Sequence, residues 1–161
     1  MVDFLTPAQR SERMSRIRGK DSQPELALRR VLHRLGLRYR LHAKGLPGKP
    51  DLVFPRYKTV VFVHGCFWHR HDGCKIATTP KSNTPFWIEK FGKNVARDTR
   101  VGAELTALGW HVLVVWECEL TPSKVELTGA GLAERIRISK SAGPDLITTK
   151  PARKARLPIS S

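Results

Sequence analysis

The sequence is short of acids, of cysteine and of long apolar runs, and each shortage excludes something. Only 14 Asp and Glu stand against 29 Lys and Arg, which leaves a formal net charge of +15 and a pI near 10.5. A balance this basic exceeds what solubility requires and favours a polyanionic partner, nucleic acid first. There are 3 cysteines in 161 residues, too few for a disulfide framework and better suited to thiolate ligands. No apolar run is long enough to cross a membrane. The start, Met1-Val-Asp-Phe-Leu-Thr-Pro7, lacks a charged n-region and apolar core, so the expected compartment is the cytoplasm. No internal repeat is present. What remains is a chain that is 40% hydrophobic, enough for one domain with a real core.

The chemistry-bearing residues concentrate in one stretch, Val63-His-Gly-Cys-Phe-Trp-His-Arg-His-Asp-Gly-Cys74. It follows Thr59-Val-Val-Phe-Val63, a short β-branched run that reads as a buried strand. Side chains at a strand end are held rigidly yet face solvent. Cys66, His71 and Cys74 are spaced C-x4-H-x2-C, and Cys118 supplies a fourth soft ligand just beyond another run that reads as a buried strand, His111–Trp116. A Cys3His set suits a closed tetrahedral zinc site and disfavours magnesium or calcium. The plainer alternative is three buried thiols beside surface histidines. Zinc is preferred because the loop has little apolar content to fix its shape.

The rest of the chain reads as α/β. A first helix begins near Thr6 with Pro7 at its first position and carries Arg10, Arg13, Arg16 and Arg18 around Met14 and Ile17. It is either a docking helix or an arm gripping phosphates; the two readings stay open. A second helix is capped by Ser22, has Pro24 and Glu25 in its first turn, and ends at Gly36. Leu28, Val31, Leu32 and Leu35 form its stripe. Glu25 reads first as a carboxylate placed for helix electrostatics. Tyr39–Leu41 and Pro50–Phe54 read as strands separated by a turn at Leu46–Pro50. Asp51 opens an apolar strand, where an acid is disfavoured and costly if unpaired; a metal ion would remove the objection. A polar loop, Lys75–Pro85, leads to a long helix over Phe86–Leu108 with Ile88, Phe91, Val95, Leu105 and Leu108 as its apolar positions. Its basic face carries Lys90, Lys93, Asn94, Arg97 and Arg100. A weak helix comes next around Leu127–Ile138, and a basic tail from Ser139.

Pro50-Asp51, Phe62-Val-His-Gly-Cys-Phe-Trp-His69, Phe86-Trp-Ile-Glu-Lys-Phe-Gly-Lys-Asn94 and the segment from Gly109-Trp to Val114-Val-Trp-Glu-Cys118 together resemble the very short patch repair (Vsr) DNA mismatch endonucleases. The resemblance runs from about Arg10 to Cys118, with looser similarity to about Arg137. It implies a restriction-endonuclease-like fold, a variant of the PD-(D/E)xK superfamily: a mixed central sheet flanked by helices, with a structural zinc. It divides the chain into a basic DNA-contacting arm (1–20), the endonuclease domain (21–138) and a basic tail (139–161). It implies Mg(II)-dependent nicking 5′ to the T of a T·G mismatch left by deamination of 5-methylcytosine.

In this resemblance Phe62 fills the acidic slot of the nuclease motif and His64 the lysine slot. Magnesium is then held by Asp51, the Val63 backbone carbonyl, water and substrate phosphate. His69 performs acid–base work, His64 lies beside the scissile phosphate, and Glu25 reaches the metal through water. Cys66, His71, Cys74 and Cys118 match the zinc ligands, with His69 close by as the alternative histidine. Phe67 and Trp68 match a wedge between base pairs, and Met14 a residue inserted from the other side. Consecutive aromatics in a polar loop are not expected to share one core. Lys90 and Asn94 match base-contacting positions; Lys93, Arg97 and the N-terminal arginines suit phosphates. The implied partners are T·G-mismatched duplex DNA and repair proteins, the implied state a monomer, and the implied location the bacterial cytoplasm at the nucleoid. Two other readings compete: a related nicking enzyme with a methylation- or restriction-linked target, and a zinc-stapled DNA-binding module without catalysis.

Overall fold

The computed structural model describes residues 6–16 and 20–140, without the side chains of Arg10 and Met14. The wedge role expected of Met14, the arginine at 18 and the tail from 141 onward lie outside the described residues. The elements are α1 (Pro7–Ser15), α2 (Gln23–Arg34), β1 (Arg40–Leu41), β2 (Leu52–Phe54), β3 (Thr59–His64), α3 (Thr84–Ala107), β4 (His111–Trp116) and α4 (Val125–Ser139). Short 3₁₀ turns follow β2 and β4, at Pro55–Tyr57 and Glu117–Glu119.

Local chemistry explains most boundaries. Thr6 and Gln9 cap α1 reciprocally, each side chain accepting the other's backbone N–H, at 3.2 and 3.0 Å. Ser22 caps α2 through the Glu25 N–H, and Gly36 leaves the helix at φ +87, a conformation glycine adopts without penalty. Gly109 does the same after α3, at φ +83.

The strands form one mixed sheet in the order β1-β2-β3-β4. β2 and β3 are an antiparallel hairpin with Leu52 opposite Val61. β3 and β4 run parallel, from Thr59 beside His111 to His64 beside Trp116, with α3 as the crossover that a parallel pair requires. Alternation along the strands then sends residues to two sides. Leu52, Phe54, Val61, Val63, Leu113 and Val115 pack with α2 and α4. Val53, Val60, Phe62 and Val112 pack with Val101 and Leu105 of α3. Leu28 and Leu32 of α2 are fully buried, each stabilising the fold by about 1.5–3 kcal/mol.

Three expectations change. α4 begins at Val125 and buries Val125, Leu132, Ala133 and Ile136, so it is a core element rather than a weak helix. β4 is only partly buried, because β3 flanks it on one side and no described strand on the other. In α3 the buried residues are Trp87, Phe91, Val101 and Leu105, whereas Ile88, Val95 and Leu108 are exposed. The inner stripe of α3 runs 87, 91, 94, 98, 101, 105, a 3–4 spacing that keeps one face toward the sheet and leaves Asn94 and Asp98 inside it.

Close packing of α2 on α4 generates a paired prediction. A methyl at Gly129 would lie 2.4 Å from Val31 Cγ1, whereas one at Gly131 would meet nothing within 4 Å. Gly129→Ala should destabilise by about 1–3 kcal/mol, and Gly131→Ala should stabilise by about 0.5–1 kcal/mol. Urea unfolding of both variants checks this; equal effects would refute the packing described.

Candidate active site and metal centre

Strand parity sets the site. His64 lies on the α3 side of the sheet with Val60 and Phe62, and Asp51 precedes β2 on the side of Val53. The hairpin returns Asp51 to the end of β3, where its Oδ2 accepts the Val63 N–H at 2.7 Å. A strand residue turns its N–H and C=O to the same flank, so the Val63 carbonyl faces this end too. Burial pushes the Asp51 carboxyl up to about 6, with the Glu25 charge adding to the rise and the Val63 N–H opposing it. Asp51 makes no salt bridge among the described residues. A carboxylate in that state lacks a counter-cation, and a hard divalent ion fits it.

Asp51, Val63, His64, His69, Arg97, Asp98, Lys20 and Lys49 line one cleft of about 600 Å³. His64 and His69 stack with ring centroids 3.9 Å apart and planes 9° from parallel. Burial drives the His64 pKa down to about 4, and the neighbouring His69 adds to this, so His64 is neutral near pH 7. His69 Nδ1 lies 2.5 Å from Asp98 Oδ2. The residue pattern alone did not single out Asp98. A carboxylate on Nδ1 fixes which imidazole nitrogen stays available and favours the imidazolium when it forms.

Glu25 is nearly fully buried and ion-paired with Arg29, which also holds Asp21 at 2.7 Å. Glu25 Oε2 accepts the Asp21 N–H at 3.0 Å. Its charge reaches Asp51, as the shift there records, but both of its oxygens are occupied. Burial opposes the charge on Arg29, yet Asp21 and Glu25 together raise its pKa.

Beyond β3 the chain turns through Cys66 to Cys74. One ligand atom from each of Cys66, His71, Cys74 and Cys118 lies within 4.8 Å of the others. His71 Nδ1 is 3.5 Å from Cys66 Sγ and 3.3 Å from Cys118 Sγ. A tetrahedral ion with bonds of about 2.0–2.3 Å spaces its ligands about 3.3–3.8 Å apart, so the donor set fits a soft metal ion. Between the two candidate histidines, His71 joins the thiols and His69 joins Asp98. Burial pushes the Cys66 thiol up to about 12 and raises Cys118, while the Ile76 backbone N–H lowers Cys74. Without a cation the buried Cys66 thiol stays protonated. His71 also stacks on Trp116, 4.2 Å between centroids, and Glu117 accepts the Cys66 N–H at 2.9 Å.

Phe67 and Trp68 sit in one aromatic cluster with Trp87 and Phe91, at centroid separations of 5.1–6.0 Å. The expectation that neighbouring aromatics cannot share a core is therefore corrected: a tight turn sets their rings perpendicular, 88° apart. Lys90 Nζ lies over the Trp68, Phe86 and Trp87 rings, nearest to Trp68 at 5.2 Å. Asn94 Nδ2 donates to the Trp68 carbonyl at 3.1 Å. Lys93 pairs with Glu89 and Arg97 with Asp98, at 2.6 and 3.5 Å.

Comparison with known proteins gives the same direction. The family model for the DNA mismatch endonuclease Vsr matches residues 2–75. The chain is 52% identical over 121 residues to a type II nicking enzyme, V.XorIIP, of Xanthomonas oryzae pv. oryzae, covering 75% of this chain and 88% of that protein. It is 49% identical over 120 residues to the type II nicking enzyme V.NmeAIP of Neisseria meningitidis, covering 74% and 85%. It is 44% identical over 136 residues to the DNA mismatch endonuclease Vsr of Escherichia coli, covering 84% and 86%.

The thiol–imidazole cluster should bind one zinc ion per chain. Elemental analysis of purified protein should give a ratio near one, falling close to zero in Cys118→Ala. A metal-free wild type that refuses added zinc would refute the assignment.

Proposed function

The chain belongs to the Vsr DNA mismatch endonuclease family and is a DNA endonuclease; we propose that it nicks duplex DNA 5′ to the T of a T·G mismatch, using magnesium, and so starts very short patch repair. The observation that carries the reading is the convergence of Asp51, His64 and His69 in one cationic cleft. Binding alone does not require a buried carboxylate beside two stacked imidazoles.

In this reading Asp51 and the Val63 carbonyl hold the magnesium, which when bound supplies a Lewis acid for the attacking water and the departing oxygen. His69, oriented by Asp98 through Nδ1, moves the proton at Nε2. His64, kept neutral by burial, positions His69 by stacking and hydrogen-bonds the phosphate instead of neutralising it. Glu25, spent on Arg29 and Asp21, acts on the metal site through its field and through water. Cys66, His71, Cys74 and Cys118 hold zinc and fix the loop bearing His69.

Phe67 and Trp68 form the wedge. Opening a base step costs a few kcal/mol and costs less at a mismatch, which gives selectivity before any base is read. Lys90, resting on Trp68, and Asn94, bracing the Trp68 carbonyl, tie base contact to wedge position. Lys93 and Arg97 hold phosphates, releasing their carboxylate partners as they do so. The protein would act as a monomer in the bacterial cytoplasm, at the nucleoid and in contact with repair proteins. A second reading is a nicking enzyme with a methylation- or restriction-linked target; it is favoured by two relatives named type II nicking enzymes.

Strand-labelled duplexes with T·G, T·A, C·G and hemimethylated sites separate these readings. A nick beside the T in the T·G duplex alone, lost in Asp51→Asn with binding kept, is the expected result; preference for the methylated duplex would favour the second reading. Asp98→Asn should slow single-turnover nicking by about 10²–10⁴-fold, and a wild-type rate would remove Asp98 from the mechanism.

A further inference from the structure

The turn before Asp51 carries a feature that the proposed chemistry leaves unused. Lys49 has φ +50, a left-handed conformation that its Cβ disfavours and that a following proline disfavours further. The turn is nonetheless fixed. Gly48, at φ +70, lies so close to α3 that a methyl there would sit 2.3 Å from Val101 Cγ1. Pro50, which follows, is fully buried. The Lys49 N–H donates to the Leu46 carbonyl at 3.4 Å. Glycine or asparagine would take this backbone with less strain, so the local conformation does not favour lysine. The side chain is exposed, makes no ion pair among the described residues, and lines the cleft of Asp51, Val63, His64 and His69. Arg97, on the same cleft, already faces Asp98 at 3.5 Å. Strain of this kind next to a reacting centre points to a role for the side chain it aims.

We infer that Lys49 is a catalytic phosphate contact: its ammonium meets the non-bridging oxygens of the scissile phosphate and stabilises the charge that builds there during nicking. The inference rests on the proposed nuclease function. Of the permanent cations lining this cleft, Lys49 stands two residues before Asp51 and makes no ion pair among the described residues, so it is placed to supply positive charge beside that carboxylate. A phosphate bound in this cleft beside Asp51 would come within reach of the Lys49 ammonium.

Lys49→Asn keeps a residue tolerant of the left-handed backbone and removes the charge; Lys49→Arg keeps the charge. Three quantities decide: the melting temperature, the slope of log affinity against log salt on an unmodified duplex, and the single-turnover nicking rate at saturating enzyme on the T·G duplex. For Lys49→Asn we expect an unchanged or higher melting temperature, a salt slope shallower by about 0.9, and a saturated rate lower by about 10²-fold. Lys49→Arg should recover the slope and most of the rate. A wild-type slope and rate in Lys49→Asn would overturn the inference. So would a changed slope with an unchanged saturated rate, which places the contact on a distant phosphate, and so would a slow Lys49→Asn whose loss tracks a fallen melting temperature. If the wild type nicks no duplex, the nuclease function fails separately; the slope then decides alone, an unchanged value rejecting the phosphate contact and a shallower one upholding it.

Discussion

Six residues of β3 run parallel to six of β4, and the reactive groups gather where that ladder stops. The last pair, His64 and Trp116, fixes where each strand leaves the sheet. Two residues beyond each lie Cys66 and Cys118, which brings two distant thiols together without any local sequence signal. The hairpin from β2 adds Asp51 to the same end through the Val63 N–H. Moving β3 by one residue relative to β4 would turn His64 to the α2–α4 side and pull the thiols apart. The register is secured by burial on both faces, with Val60, Val61, Leu113 and Val115 almost without exposure.

That end of the sheet concentrates groups the protein alone cannot satisfy. Asp51 is a carboxylate held near pKa 6 by burial, and Cys66 a thiol held near 12 by the same cause. Each lacks a cation, and their chemistries differ. The carboxylate and backbone oxygens suit a hard ion that keeps water ligands; the thiols and imidazole suit a soft one that does not. The sorting of His69 to Asp98 and His71 to the thiols keeps the two centres separate. In the proposed function one histidine then exchanges protons while the other is a fixed ligand.

Much of this was legible in the sequence. Caps and terminal glycines marked α2, and β-branched runs marked β3. C-x4-H-x2-C with the remote Cys118 marked the thiol cluster, and an acid opening an apolar strand marked Asp51. What was missed at the site came largely from the choice of face on α3. Charge drew attention to a face of Lys90, Lys93, Asn94, Arg97 and Arg100, whereas the inward stripe is Trp87, Phe91, Asn94, Asp98, Val101 and Leu105. Asn94 and Asp98 interrupt that stripe at inward positions, and a polar residue at a core position demands a partner. That rule, applied to the spacing, would have flagged Asp98 and the Trp68 brace. The strain at Lys49 carries no comparable signal, since it depends on tertiary packing, whereas the Glu25–Arg29 pair stands at the i, i+4 spacing of one helix and could have been read from the sequence.

The central claim is that a soft-metal staple at the end of the β3–β4 ladder holds the loop whose His69 performs the chemistry. It is tested by withdrawing zinc in steps with a thiol-compatible chelator while magnesium stays saturating, and tracking bound zinc, helical circular dichroism and nicking of a T·G duplex in the same samples. The account predicts that nicking falls in proportion to zinc lost, that helicity persists because α2 and α4 are held by their own buried apolar stripe and supply no ligand to the cluster, and that added zinc restores the rate. Full nicking by zinc-free protein would contradict it.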